Sequence, residues 1–187
     1  MCGIVGFTGS VEAKNILLEG LKRLEYRGYD SAGIAVYNGH SIEVVRRLGK
    51  VSELVGAVGE QDCKGFCGIG HTRWATHGSP SERNAHPHTS CANDIAVVHN
   101  GIIENFAELR EELTERGHCF SSDTDTEVVA HLIEDAYDGD LLQAVQKATS
   151  RLIGAYGLAV IAEEDPQTIV VTRKASPIVL GVGSDGS

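Results

Sequence analysis

Apolar positions in roughly the first half of the chain follow two periodicities, one typical of helices and one typical of strands. Leu17, Leu21 and Leu24 recur at intervals of four and three residues, which places them on one face of an amphipathic helix over Val11–Glu25. A shorter helix is predicted over Val51–Val58. Short apolar runs predict strands at Ile4–Phe7, Ser31–Tyr37, Ile42–Leu48, within Gly65–Trp74 and at Asp94–His99.

The second half of the chain predicts three helices followed by three strands. Each helix is indicated by apolar residues at helical spacing: Phe106, Leu109 and Leu113; Val129, Leu132, Ile133 and Ala136; and Leu141, Val145, Ala148 and Leu152. Capping pairs are predicted at the starts of the last two helices: Thr124 with Glu127, and Asp140 with Gln143. The strands are predicted at Tyr156–Ala162, Thr168–Thr172 and Ile178–Val182. Because strands dominate early and late, the pattern predicts packed sheets with helices outside.

Two connecting segments carry predictions of their own. Asn38-Gly39 is a pair typical of tight hairpins, so it is predicted to join Ser31–Tyr37 to Ile42–Leu48. Ala75–Asn93 is polar and has too few apolar residues to be packing material, so we predict a lid. The last predicted strand stands close to the end of the sequence. We therefore expect residues 1–187 to form one domain that is incomplete at its C-terminus.

Composition and charge narrow the class of protein. The 187 residues, 42% apolar and 22% charged, suit one soluble globular domain with a real core. A net charge of -10 argues against a general nucleic-acid-binding protein and against docking on anionic membranes. The sequence has no apolar run of membrane-spanning length and no secretory signal. We expect a cytoplasmic protein with neither nucleic acid nor membrane as a partner.

The five cysteines are an odd number in a chain that is not small, which favours reduced thiols over a disulfide scaffold. Cys63 and Cys67 form a CxxxC pair, and His86 and His88 follow further along. A zinc site at these residues is one interpretation, but the spacing matches no strong zinc signature. Buried or half-exposed free thiols are the simpler alternative.

The chain begins MCGIVGF, which places a cysteine directly behind the initiator methionine. Once Met1 is removed, Cys2 carries both a thiol nucleophile and a free α-amine. The pKa of an α-amine is about 7.7–8.0, a suitable value for a general base at neutral pH. A terminal amine is one of the groups that activate a neighbouring nucleophile. The alternative is a small apolar residue that merely starts a strand.

The segment VVHNGIIEN, over Val97–Asn105, is predicted to leave a strand at His99 and to turn sharply at Asn100-Gly101 before a helix. Asn-Gly is a common turn pair, so a plain connection is one interpretation. The other is an oxyanion hole, in which the Asn100 side-chain amide and the Gly101 backbone N–H stabilise developing negative charge. One such donor contributes about 3–4 kcal/mol. The sequence leaves both interpretations open.

Two further segments carry groups that suit a small ligand. In HTRWATHG, Arg73 can hold a carboxylate through two parallel hydrogen bonds, and Trp74 can close over a ligand. A surface arginine and a core tryptophan are the alternatives. In SSDTDTE, Asp125 either complements a helix dipole or binds an ammonium group. In YRGYDSAG, Arg27 and Asp30 are candidates to pair with each other, and the segment contains no phosphate-binding glycine motif.

Taken together, these segments resemble a known family. CGIVG, RLEYRGYDSAG, HTRWATHG, NAHPH, HNGIIEN and DTDTE occur in the same order in class II glutamine amidotransferase domains, which are N-terminal-nucleophile hydrolases. The resemblance covers nearly the whole chain, and it is closest to the hexosamine-forming branch of the family. It implies an α+β fold, a four-layer αββα sandwich, and the hydrolysis of L-glutamine to glutamate and ammonia. It implies no metal and no cofactor.

The resemblance also implies a role for each matching position. Cys2 is expected to attack the glutamine side-chain amide, with Asn100 and Gly101 holding the oxyanion and Asp125 binding the α-ammonium group. The residues expected to bind or enclose the rest of the substrate are Arg73, which takes the carboxylate, and Trp74, Thr76 and His77 beside it. Arg27 is expected to support the N-terminus.

In that branch, sugar isomerase domains follow the glutaminase domain, and the full-length enzyme is expected to be a homo-oligomer. We expect residues 1–187 to include none of those domains, so their expected role is to supply ammonia for making an amino sugar phosphate. Two alternatives are the glutaminase domain of another class II amidotransferase and a non-catalytic glutamine-binding module.

Overall fold

In a computed structural model, residues 2–59, 61, 63–74, 79–183 and 186 are described, and they form eight strands and five α-helices. The strands are β1 (Gly3–Thr8), β2 (Ser31–Tyr37), β3 (Ile42–Leu48), β4 (Cys67–Arg73), β5 (His88–Thr89), β6 (Ile95–Ile103), β7 (Gly154–Ala162) and β8 (Asp165–Lys174). The helices are α1 (Ala13–Leu24), α2 (Val51–Gly59), α3 (Phe106–Glu115), α4 (Glu127–Ala136) and α5 (Leu141–Thr149). None of these helices has the length and apolar character needed to cross a bilayer.

The strands form two four-stranded sheets, in the orders β1-β4-β2-β3 and β5-β6-β7-β8. Every neighbouring pair is antiparallel. In the first sheet, β4 lies between β1 and β2, so the N-terminal strand pairs with a segment that is distant in sequence. That pairing places the end of β4 beside the start of β1.

Alternation of side chains along the central strands explains how the layers stack. In β2, Ile34 packs in the apolar cluster under α1 and α2, whereas its neighbour Ala35 faces the second sheet. In β6, Val97 packs against α3, α4 and α5, whereas Val98 faces the first sheet. Both sheets are therefore buried on two faces, and the layer order is helix, sheet, sheet, helix. The predicted α+β fold with an αββα sandwich is confirmed.

Most predicted elements are confirmed, and the clearest exception is the last strand. Ile178–Val182 forms no strand and pairs with none in the described part of the chain. Its side chains are largely exposed, with 94% of Val179 open to solvent. An apolar, β-branched run has no strand structure of its own without a neighbour to complete its hydrogen bonds.

The described part of the polar segment Ala75–Asn93, residues 79–93, is not the lid that its composition predicts. Residues 75–78 lie outside the described residues, but residues 84–88 are buried and lead into β5, which pairs with β6. The Asn84 side chain donates to the Ser79 carbonyl at 3.0 Å and accepts from the Asp123 amide at 2.9 Å. Buried polar side chains that make internal hydrogen bonds, such as Asn84, let this segment enter the interior, and a count of apolar residues does not detect them.

The two predicted capping pairs have different outcomes. Asp140 accepts a hydrogen bond from the Gln143 amide at 2.9 Å, so that cap is confirmed. The prediction for Thr124 and Glu127 is wrong, because α4 begins at Glu127 itself and Thr126 holds the capping position without a side-chain hydrogen bond to the helix. The hairpin between β2 and β3 is confirmed, although Tyr37 pairs with Ile42 and the loop therefore has four residues.

Candidate active site

Cys2 lies directly before β1, where the pairing of β1 with β4 brings it beside the end of β4. Its sulfur is 3.2 Å from the backbone nitrogen of Trp74, which donates to it, and 3.5 Å from the Trp74 carbonyl oxygen. The next residue, Gly3, lets the start of β1 pack closely against α1, since a Cβ there would lie 2.8 Å from the Leu24 Cβ. The sheet pairing, rather than a local turn, positions the thiol.

The surroundings of Cys2 keep its thiol protonated. Burial raises the pKa of the Cys2 thiol above its ordinary value, and the Trp74 hydrogen bond and the Arg73 charge offset this only in part. A thiol in this state needs a base to become a nucleophile at neutral pH. The α-amine of Cys2 is the nearest such group by covalent geometry. Met1, whose removal would free that amine, lies outside the described residues.

Asn100 reaches Cys2 from the opposite sheet. Its side-chain amide donates a hydrogen bond to the Cys2 carbonyl oxygen at 3.2 Å. The predicted sharp turn at Asn100-Gly101 is wrong, because β6 continues to Ile103 and remains paired with β7. Alternation along β6 places Asn100 on the same face as Val98, which is the face toward the first sheet.

Gly101 is required by the backbone at this point. Its φ is +143°, a conformation that residues with a side chain rarely adopt. A Cβ at this position would also lie 2.1 Å from the Ala155 carbonyl oxygen on β7. The glycine thus allows β6 and β7 to stay paired at this close approach.

Arg73 ends β4 and is 3% exposed. Burial lowers the pKa of its guanidinium, and the charges of Cys2, Asp30 and Asp125 act in the opposite direction. The Arg73 guanidinium therefore interacts electrostatically with each of these three groups. Arginine nevertheless remains cationic at neutral pH, so the site holds a fixed positive charge beside the thiol.

Asp125 lies just before α4 and is 5% exposed. One of its carboxylate oxygens accepts a hydrogen bond from the Ile103 backbone N–H at 2.8 Å. Ile103 is two residues beyond Gly101, so this bond ties the carboxylate to the end of β6. A carboxylate also has further acceptor sites, and these can take an ammonium group.

Trp74 presents an exposed side chain beside the thiol. Its side chain is 46% exposed and meets the Tyr29 ring edge to face, with centroids 5.7 Å apart. The core-tryptophan alternative is therefore wrong. Gly28 packs closely against the same backbone, since a Cβ there would lie 2.8 Å from the Arg73 carbonyl carbon.

The remaining predicted site residues are Arg27, Thr76 and His77. Arg27 lies in a single 3-10 turn, Glu25–Arg27, and its Nε is buried without a hydrogen-bond partner among the described residues. No hydrogen bond or ion pair in the described part of the chain joins it to Cys2. Thr76 and His77 lie outside the described residues.

A group of buried histidines near the site was not predicted from the sequence. The His86 ring lies 4.1 Å from His71 and 4.8 Å from His88, measured between centroids. The Thr126 hydroxyl is 2.9 Å from His86 Nε2 and 2.8 Å from His99 Nδ1. Burial lowers the pKa of His71 to about 3 and the pKa values of His86 and His88 well below the ordinary value, so these three rings are neutral at physiological pH. The contacts of His86 and His99 fix Thr126, the residue that follows Asp125.

Glu127 holds the loop that carries Asp125. Its carboxylate accepts four hydrogen bonds of 2.7–2.8 Å, from the backbone and hydroxyl groups of Ser121 and Ser122. Burial acts to raise the pKa of Glu127, but these hydrogen bonds outweigh it and the pKa is lowered. The carboxylate therefore stays ionised and keeps the loop in one shape. The sequence signal was the SSDTDTE motif, which suggested a helix cap instead.

The structure does not bring together the zinc ligands considered from the sequence. Cys63 packs in the cluster under α1 and α2, whereas Cys67 faces the second sheet. The two thiols lie on different sides of the first sheet and do not converge. None of the five cysteines forms a disulfide among the described residues.

The stacked antiparallel sheets, with helices outside and a cysteine ahead of the first strand, define an N-terminal-nucleophile hydrolase of the amidotransferase class. A family profile described as a glutamine amidotransferase domain matches residues 71–181. The chain belongs to this glutamine amidotransferase family.

Close relatives share one enzyme name. Glutamine–fructose-6-phosphate aminotransferase (isomerizing) of Symbiobacterium thermophilum is 56% identical over 183 residues, which cover 98% of this chain and 30% of that protein. The protein of the same name from Clostridium acetobutylicum is 50% identical over 187 residues, or 100% of this chain and 31% of its own length. The chain therefore spans about 30% of the length of these curated relatives.

Solved structures agree with the fold. Glutamine phosphoribosylpyrophosphate amidotransferase from B. subtilis matches with a TM-score of 0.78 and 30% identity, over 92% of this chain and 37% of that one. A glutamine aminotransferase class-II domain protein from Silicibacter pomeroyi matches with a TM-score of 0.63 over 100% of this chain and 86% of that one. At 18% identity, the second match shows the shared fold alone.

Proposed function

We propose that this domain hydrolyses L-glutamine to glutamate and ammonia through a thioester on Cys2. The observation that carries the proposal is the meeting of three groups that are distant from one another in the sequence. They are the Cys2 thiol, the Asn100 amide and the buried Arg73 guanidinium. A nucleophile, a hydrogen-bond donor and a carboxylate-binding cation are the parts that amide hydrolysis of an amino acid requires.

In this mechanism the α-amine of Cys2, freed by loss of Met1, takes the thiol proton. The sulfur then attacks the side-chain carbonyl carbon of glutamine and forms a C–S bond. The proton passes to the amide nitrogen, the C–N bond breaks, and ammonia leaves. Water adds to the resulting thioester, which releases glutamate and restores the thiol. The raised pKa of Cys2 favours this arrangement, because a protonated resting thiol needs a base close by.

Asn100 and Gly101 are proposed to stabilise the oxyanion of each tetrahedral intermediate. An amide nitrogen carries two N–H groups, and the hydrogen bond to the Cys2 carbonyl uses one of them. The second N–H and the Gly101 backbone N–H are then the proposed donors, contributing about 3 kcal/mol each. The position of both on β6 depends on the close strand approach at Gly101.

The two ends of the amino acid are proposed to bind Arg73 and Asp125. Arg73 would take the α-carboxylate, with Thr76 and His77 beside it, and Asp125 would take the α-ammonium group. Trp74 is proposed to cover the bound substrate, since its ring is exposed and its backbone contacts the Cys2 sulfur. Arg27 is proposed to support the N-terminus.

The names of the relatives support a wider proposal for the longer enzyme to which residues 1–187 would belong. We propose that this glutaminase domain supplies ammonia to sugar isomerase domains that convert fructose 6-phosphate to glucosamine 6-phosphate. In that proposal the full enzyme is a cytoplasmic homo-oligomer, and this chain alone catalyses only the hydrolysis of glutamine.

Intact mass after incubation with a diazoketone analogue of glutamine tests the proposal. We expect one adduct, mapped to Cys2 in a chain without Met1, because the thiol displaces dinitrogen to form a thioether. Cys2→Ala should give no adduct and no glutamate release, and Cys119→Ser should behave as the parent does. Glutamine binding without turnover in a processed chain would favour a non-catalytic binding module. Substantial glutamate release by Cys2→Ala would overturn the mechanism.

A further inference from the structure

Four side chains with metal-binding atoms converge on one point outside the proposed active site. They are Cys91, His118, His131 and Glu134, and their ligand atoms all lie within 4.8 Å of one another. Cys91 lies in the turn that follows β5, His118 lies in the loop that follows α3, and the other two lie on α4. The fold therefore brings three separate segments to this point.

Four of the six distances between these atoms are close to those around a tetrahedral zinc ion, and all six are within 4.8 Å. Cys91 Sγ is 3.5 Å from His118 Nδ1 and 3.6 Å from His131 Nδ1. Glu134 Oε2 is 3.0 Å and 3.2 Å from the same two nitrogens. Around tetrahedral zinc, with bonds of about 2.3 Å to sulfur and about 2.0–2.1 Å to nitrogen and oxygen, such pairs stand about 3.6 Å and about 3.3 Å apart.

The groups behind the ligands are arranged as supports of a metal site. The second ring nitrogen of His118 lies 2.7 Å from an Asp135 carboxylate oxygen. Such a carboxylate orients a metal-binding imidazole and raises its basicity. The second ring nitrogen of His131 is buried, has no hydrogen-bond partner among the described residues, and lies 4.0 Å from Glu127. Both imidazoles thus turn their Nδ1 atoms to the same point and have a carboxylate near their Nε2 atoms.

The Glu134 carboxylate is also fixed in place. The backbone N–H groups of Cys91 and Ala92 donate to it at 3.1 Å and 3.3 Å. The carboxylate is therefore oriented without help from a metal ion. His131 is also fixed, because it lies on α4 and its side chain is only 1% exposed. Little side-chain freedom would be lost when an ion binds.

We propose that Cys91, His118, His131 and Glu134 bind one zinc ion. A set of one thiolate, two imidazoles and one carboxylate fills all four tetrahedral positions, which is typical of a structural rather than a catalytic zinc. On binding, the Cys91 thiol releases its proton to solvent and its sulfur bonds the metal. The ion would join the turn after β5 to the start of the loop that carries Asp125 and to α4.

Zinc titration of the metal-stripped 187-residue chain tests the proposal. Competition with a chromogenic chelator gives the affinity, and elemental analysis gives the stoichiometry. We expect one equivalent of zinc, and we expect Co²⁺ in its place to show the sulfur-to-metal charge-transfer band of a thiolate ligand. Cys91→Ser should remove that band. Cys91→Ser and His118→Ala should each weaken zinc binding at least about a hundredfold, since even supporting groups contribute about 10–100-fold.

Two matched variants separate this site from other thiols. Cys119→Ser changes a neighbouring exposed cysteine, and Cys2→Ala removes the proposed nucleophile. Both should keep the full zinc affinity and the Co²⁺ band. If a variant does not fold, the parent chain alone still tests the proposal. Absence of tight zinc binding by the parent, or of the Co²⁺ charge-transfer band, would overturn it. Unchanged affinity in Cys91→Ser, or equal loss in Cys119→Ser, would overturn it as well. Neither result depends on glutamine hydrolysis.

Discussion

The Asn100 side-chain amide donates a hydrogen bond to the Cys2 carbonyl oxygen at 3.2 Å, across 98 positions of the sequence. The bond joins β6 of the second sheet to the residue that precedes β1 of the first. Its length therefore depends on how the two sheets pack, since neither residue is near the other along the chain. The relative position of the proposed nucleophile and the proposed oxyanion donor is thus determined by the packing of the two sheets and not by a local sequence motif.

Gly101→Ala should destabilise the domain because of both backbone conformation and crowding. The φ of +143° is unfavourable for alanine, and its Cβ would lie 2.1 Å from the Ala155 carbonyl oxygen. Gly139→Ala is the matched control, since Gly139 has a φ of +100° but no atom within 4 Å of its Cβ position. Urea denaturation should show Gly101→Ala losing at least about 2 kcal/mol more than the control. Equal losses would mean that β6 and β7 separate readily at this point.

Arg73→Lys should weaken glutamine turnover while leaving the fold in place. Lysine keeps the charge but cannot make two parallel hydrogen bonds to a carboxylate. We expect kcat/KM for glutamine to fall about 10–100-fold, mainly through a higher KM. Arg23→Lys is the control, because Arg23 is an exposed residue on α1, and steady-state glutamate release measures both. A KM unchanged from the parent would show that the carboxylate binds elsewhere.

Asp125→Asn tests the charge of the carboxylate apart from its structural bond. Asparagine retains an oxygen that can accept the hydrogen bond from the Ile103 N–H, so the end of β6 should keep its position. The loss of negative charge should raise KM for glutamine about tenfold or more, as expected when a charge-assisted hydrogen bond is removed. Asp123→Asn, an exposed neighbour in the same loop, should change KM much less. Similar effects in both variants would point to loop disruption instead of ammonium binding.

Much of the fold was predictable because its strands and helices carry clear periodic patterns. Strand β2 was predicted with its exact bounds, since Ser31–Tyr37 is bounded by turn residues and rich in apolar side chains. The path of β6 was not predictable, because Asn100-Gly101 has the composition of a turn but continues a ladder with β7. Only the neighbouring strand decides between these two structures.

The members of the candidate site were predictable one by one, but their convergence was not. Arg73 and Asp125 stand in separate motifs, and the carboxylate that organises the second loop, Glu127, resembles a helix cap in sequence. The proposed zinc ligands form no local motif, since Cys91 and Glu134 are 43 positions apart. Spacing rules detect ligands that are close in sequence, and these are brought together by packing.

The stability of the domain should fall on acidification, partly because of His71. Burial lowers the pKa of His71 to about 3 in the folded state, whereas the unfolded chain binds this proton near pH 6.5. Between these pH values the unfolded state holds more protons, so the free energy of unfolding decreases as pH falls. One such histidine contributes a slope of up to about 1.4 kcal/mol per pH unit.

His71→Gln should therefore show a shallower pH dependence of the free energy of unfolding than the parent, measured by urea denaturation between about pH 4 and 6. His40→Gln, at an exposed hairpin position, should keep the slope of the parent. Parallel slopes in His71→Gln and the parent would contradict the burial of a neutral His71.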